Sequence, residues 1–186
     1  MSHLYIYTFL ASLIAVCGYM ANNQTMLIGA MLISPLLTPI FTLNKDISGN
    51  LNLGKSLLKH NGKAISLILV CLITGYIATK VIKLNKETQM MQSTVEWEET
   101  YLKSRINYII PLLAGIVLAY GKNDKDIASI IGVGITISVL PPLVNAGMLK
   151  GIGGKDKKAW ISFKLAILNL IITGVAYTGT RYIIGF

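Results

Sequence analysis

Apolar residues fall into six long runs separated by polar and basic stretches. The runs extend approximately from Leu4 to Met20, Thr25 to Leu43, Ala64 to Ile82, Ile106 to Tyr120, Ile127 to Leu149 and Trp160 to Tyr182. Each is near the length a helix needs to cross the hydrocarbon of a bilayer, about 20 residues. The fourth is short and carries Pro111. It is either a tilted or partial span or one that extends back past Arg105.

The pattern also repeats. When residues 1–45 are laid over 104–148, Tyr5, Ile6, Leu10 and Gly18 meet Tyr108, Ile109, Leu113 and Gly121. Ile28, Gly29, Leu37 and Pro39 then meet Ile131, Gly132, Leu140 and Pro142. With a small change of offset, ILVCLITG (68–75) meets ILNLIITG (167–174). Each copy holds three apolar segments, and two linked copies of a three-segment unit must enter a membrane from opposite sides. The pattern predicts an all-α integral membrane protein in a single domain spanning 1–186. Its six transmembrane helices form two inverted three-helix repeats, 4–82 and 106–184, joined by a linker at 83–105.

The connections match between copies. The first is tight in both: Ala21-Asn22-Asn23-Gln24, and Gly121 to Asp126. The second is longer and basic: Asn44 to Lys63, and Lys150 to Ala159. Ile47, Leu51, Leu57 and Leu58 could form one face of a short interfacial helix. In the linker, VEWEETYLKS reads as helical, with Trp97 and Tyr101 spaced as interface anchors. Lys and Arg divide almost evenly between the two implied faces, so the positive-inside rule sets no orientation.

Composition agrees with a membrane protein. Hydrophobic residues make up 53% and charged residues 13% of the chain, against about 25% charged in soluble domains. No Asp or Glu lies inside a long apolar run, which argues against a carboxylate proton relay within the membrane. The net charge of +9 sits beside the apolar segments rather than in one aromatic-laced patch. It points to anionic lipid headgroups, not to nucleic acid. Cys17 and Cys71 lie within apolar runs and read as small hydrophobes. His3 and His60 have no metal-ligand spacing, no cofactor motif is present, and no cleavable signal peptide is expected at the first run.

The second segment of each copy carries the unusual residues. The first reads IGAMLISPLLTPIF, with Ser34, Pro35, Thr38 and Pro39. The second reads IGVGITISVLPPLVNAG, with Ser138, Pro141, Pro142 and Asn145. An interior proline removes an amide donor and clashes with the carbonyl four residues back, here those of Met31, Pro35, Ile137 and Ser138. In lipid such groups need partners, so Pro-broken second helices should face protein or a wet cavity. Their exposed termini could hold an ion. The plainer alternative is a pair of kinks that shape packing and bind nothing. Gly115 and Ala119, like Gly134 and Ser138, are spaced for close helix packing. Asn169 is either an interhelical hydrogen-bond donor or a pathway ligand, and Lys164 is placed to snorkel. No set of groups suited to enzyme catalysis is present.

At the two proline segments the chain resembles the uncharacterised hydrophobic domain family, also called domain of unknown function 389. The resemblance runs from about residue 20 to about residue 180. It implies six membrane helices, and Asn169 fits the family's Asn in the last helix. Family members often carry an acid near the start of the fourth helix, where this chain has Asn107, so proton coupling through that acid is not expected here. The expected function is a small transporter or channel for a small solute or ion, assembled as a homo-oligomer. Its pathway would be lined by Ser34, Pro35, Thr38, Pro39, Ser138, Pro141, Pro142, Asn145 and Asn169. The rival is a non-transporting membrane scaffold or partner-binding protein that uses the linker.

Overall fold

The computed structural model describes residues 2–36, 53–121 and 139–184. The regular structure among them is helical throughout: α1 (Ser2–Met20), α2 (Gln24–Ile33), α3 (Leu53–Val81), α4 (Gln89–Lys103), a 3-10 turn (Arg105–Tyr108), α5 (Ile109–Gly121), α6 (Leu140–Ile152) and α7 (Asp156–Ile184). Three of these helices, α1, α3 and α7, are long and apolar enough to cross a membrane.

Local sequence explains most of the boundaries. Asn22 takes the left-handed conformation that Asn tolerates (φ 50°). Asn23 then caps α2, its Oδ1 accepting the amides of Thr25 at 2.9 Å and Met26 at 3.3 Å. The described part of α2 ends at Ile33, because Ser34 precedes Pro35 and is driven to extended backbone (ψ 122°). Pro111 falls in the first turn of α5, where its missing amide is no loss. Gly153 and Gly154, both at positive φ (84° and 66°), turn the chain from α6 into α7.

One boundary differs from expectation. α3 begins at Leu53 rather than near Ala64, so Leu57 and Leu58 belong to one continuous helix and not to a separate interfacial one. Its extra turns are built of Lys, Leu and Ser, which Gly54 and Gly62 do not suffice to interrupt. Ile47 and Leu51 lie outside the described residues, as does the expected helical stretch 127–138.

Contacts fix the helix directions. Tyr5 hydrogen-bonds Ser66 (3.0 Å) and Ser12 lies beside Cys71, so α1 and α3 run parallel. Pro111 accepts from Thr173 (3.1 Å) and Ala119 from Arg181 (3.5 Å), so α5 and α7 also run parallel. Gly147 lies against Leu72 and Gly151 against Thr79, which makes α3 and α6 parallel. Asn145 reaches Ser162, and Lys150 reaches Asp156, so α6 and α7 are antiparallel. α1 and α3 therefore point one way, and α5 and α7 the other.

α6 is the hub of the core. Every residue from Leu140 to Leu149 is buried, and α6 touches α1, α2, α3 and α7. Glycines let it approach α3: a Cβ on Gly75 would lie 2.5 Å from the Val144 carbonyl, and one on Gly147 would meet the Leu72 carbonyl. Gly115 does the same for α5 against Thr173 and Tyr177. The outer faces stay apolar, with Ile6 and Phe9 on α1, Ile73 and Ile77 on α3, and Ile171 and Val175 on α7 all exposed. Only 33% of the apolar stretches of α3 and α7 is buried. Helices apolar all round match a lipid surround better than water.

Candidate functional site

The prolines of the two copies sit at opposite ends of the helices they border. α2 precedes Pro35, whereas α6 follows Val139 and carries Pro141 and Pro142 in its first turn. There the missing amides cost no intrahelical bond. The Met31 carbonyl, expected to lose its partner, accepts the Ser34 amide at 3.3 Å. The Pro141 carbonyl accepts the Tyr19 hydroxyl at 3.0 Å, tying the end of α1 to the start of α6.

One turn further along α6, Asn145 is fully buried. Its Nδ2 donates to Ser162 Oγ on α7 at 3.3 Å, and the Ser162 hydroxyl donates to Glu98 Oε2 on α4. Glu98 and Ser162 are fully buried as well. Glu98 Oε1 and Asn145 Oδ1 are buried without a hydrogen-bond partner. Burial pushes the Glu98 carboxyl up to about 8, although the Ser162 hydrogen bond pulls it down.

α4 is held in place by its ends. Thr88 caps it and donates to the Tyr19 carbonyl at 2.8 Å, while the Met90 amide donates to Asn22 Oδ1 at 2.8 Å. Just before it, Glu87 bonds Lys158 at 2.6 Å and Lys155 at 3.0 Å. Burial pushes the Glu87 carboxyl up, but the two lysines outweigh that and hold it below its usual value. At the other end the Tyr101 hydroxyl donates to the Asn107 carbonyl. Tyr101 is buried and stacks on exposed Trp97 at 4.9 Å, so of the two expected anchors only Trp97 faces outward.

Among the sequence-selected residues, Pro141, Pro142 and Asn145 gather at this site. Asn169 lies on the same buried stripe of α7, two turns beyond Ser162. Ser34 and Pro35 are half-buried at the end of α2, and the Ser34 hydroxyl is buried without a partner. No hydrogen bond among the described residues joins them to Asn145. Thr38, Pro39 and Ser138 lie outside the described residues. Glu98, Ser162 and Tyr19 were not foreseen. For Glu98 the signal was present: Met91, Val95, Glu98 and Tyr101 form the buried stripe of α4, and an acid on such a stripe enters the core. The linker thus supplies the buried acid that the apolar runs lack.

Apolar helices around a buried polar cluster define a helical protein suited to a membrane. The chain belongs to the family described as domain of unknown function (DUF389), whose model matches residues 31–175 and so includes every residue of the cluster but Tyr19. A protein of Methanocaldococcus jannaschii, described as Uncharacterized protein MJ0678, is 30% identical over 164 residues. That alignment covers 87% of this chain and 47% of the relative, so the chain spans about half the length of the curated relative it matches. No solved structure matches the chain.

Proposed function

We propose that this is a multi-pass membrane protein built of two inverted repeats, and that it moves a small solute or ion past the start of the double-proline helix. The observation carrying this reading is the buried Glu98–Ser162–Asn145 chain beside Pro141 and Pro142, inside a shell of exposed apolar residues. Buried polar groups within an apolar shell are costly, and are retained mainly where they serve a pathway or a partner. Two acceptor oxygens left open there, on Glu98 and Asn145, suit a transient cationic or hydrogen-bonding guest. The opposed directions of the α1–α3 and α5–α7 pairs support the inverted repeats. The exposed lysines at the α6–α7 turn support contact with anionic lipid headgroups. Helices this few make a thin wall, which favours a homo-oligomer.

The burial of Leu140–Leu149 on every side favours the second reading, a scaffold that packs tightly around its prolines and conducts nothing. Flux in liposomes separates the two. Purified protein is reconstituted and tested against a panel of monovalent cations, halides and small anions. Transport predicts flux of at least one panel member and its loss in Asn145→Ala. Absence of flux for the whole panel, in protein shown to be folded, favours the scaffold.

A further inference from the structure

Glu98 is a buried acid that no cation answers among the described residues. Of the groups on the elements packed against it, α1 offers Tyr19, close enough to interact electrostatically but with its hydroxyl given to the Pro141 carbonyl. α7 offers Lys158, one turn before Ser162, which is paired with Glu87 together with Lys155. α6 offers Lys150, paired with Asp156. On α4 itself Glu96, Glu99 and Lys103 are exposed, as is Arg105 in the 3-10 turn. Among the described residues no ion pair reaches Glu98, although its side chain is fully buried.

A carboxylate so placed is stable only while its oxygens are fed by donors. In the ionised state the donors run one way: Asn145 N–H to Ser162 Oγ, and Ser162 O–H to Glu98 Oε2. Adding a proton turns the carboxyl into a donor. Ser162 Oγ then accepts from Glu98 and passes its own hydrogen toward Asn145, whose amide must rotate to present Oδ1. That rotation gives the open Oδ1 a partner. The proton comes from bulk water and returns to it, with no other bond made or broken. We propose that Glu98 is a proton-binding site whose occupancy reverses the Glu98–Ser162–Asn145 hydrogen-bond chain, so that the proton is the ion coupled to movement at the double-proline helix.

The coupling role rests on the transport reading; the proton site does not. Burial holds the carboxyl near the neutral range, at about 8, so its titration is accessible at mild pH. The test is infrared difference spectroscopy of the reconstituted protein, following the carbonyl stretch of protonated carboxyl groups. The parent protein should retain one such signal above about pH 6 and lose it with a midpoint near about pH 8. Glu98→Gln should abolish the signal. Ser162→Ala should keep it and move its midpoint upward, because the hydrogen bond that favours the ionised form is gone. This second variant serves if Glu98→Gln does not fold. A parent without a carboxyl signal above about pH 6, a signal that survives in folded Glu98→Gln, or an unmoved midpoint in Ser162→Ala overturns the site. Flux of the conducted panel member is measured in parallel across pH. Loss of its pH dependence in Glu98→Gln supports coupling, and an unchanged dependence overturns it while leaving transport intact. A parent that titrates as expected but conducts nothing keeps the proton site and removes its coupling role along with the transport reading.

Discussion

The described parts of the two proline segments, α2 before Pro35 and α6 from the double proline onward, lie in different environments. α2 buries Leu27, Ala30 and Met31 and leaves Ile28, Leu32 and Ile33 exposed. In the second proline segment, α6 is buried from Leu140 to Leu149. The first copy's helix is described on the near side of its proline, the second's on the far side. Asn145 of α6 reaches Ser162, which in turn holds the buried acid. Repetition in sequence therefore sets where the chain is punctuated. Packing against α3 and α7, and not the proline pattern alone, sets the burial of α6. α4 has no counterpart in the repeat, and it delivers Glu98.

The sharpest way to break this comparison is to add one methyl group to each helix. Gly147→Ala drives a Cβ into the Leu72 backbone, where neither helix can yield without separating. It should cost about 3 kcal/mol or prevent assembly. Gly29→Ala in α2 meets nothing within 4 Å and should stabilise by up to about 1 kcal/mol through helix propensity. Thermal or denaturant unfolding in detergent measures both, and similar losses in the two variants would deny α6 its central place.

The next effect is pH-dependent. The Glu98 carboxyl is raised from 4.5 to about 8 by burial, so the folded state holds a proton that the unfolded chain releases. Stability from this group is therefore intact below about pH 4.5 and declines as pH rises through about 8. Glu98→Gln, which cannot ionise, should be more stable than the parent at about pH 9, by up to about 5 kcal/mol. The gap should close toward about pH 5. Unfolding curves at several pH values check the sign.

The smallest effect concerns the clasp that positions α4. Glu87 is held below its usual value by Lys158 and Lys155, so its contribution is present at neutral pH and lost as pH falls through the lowered value. Both lysines are about 40% exposed, which limits what the pair contributes. Lys158→Ala should cost under about 1 kcal/mol at neutral pH and nothing in strong acid. A cost that persists in acid would point to packing by the lysine stem rather than charge.

Periodicity located α1, α5 and α7 closely, because long apolar runs and nearby Pro, Asn or Gly mark helix ends through local physics. Asn145 stood out as a polar residue one turn beyond the double proline. Periodicity missed Glu98 because an acid in a polar linker reads as solvated, although its register with Met91, Val95 and Tyr101 sets it on the apolar stripe of α4. It misplaced the start of α3 because Lys and Ser tolerate helix as readily as loop. Close packing at Gly115 was legible from small residues four apart, whereas the tighter contact of Gly75 with α6 joins positions far apart in the chain.

The central claim is that two like halves face opposite ways across a membrane. The most direct test places single cysteines at Lys55, in the first turn of α3, and at Lys157, in the first turn of α7, in a background lacking Cys17 and Cys71. An impermeant thiol reagent is then applied to membranes in which the protein has one orientation. The account predicts labelling of the two positions from opposite faces. Labelling of both from the same face would contradict it.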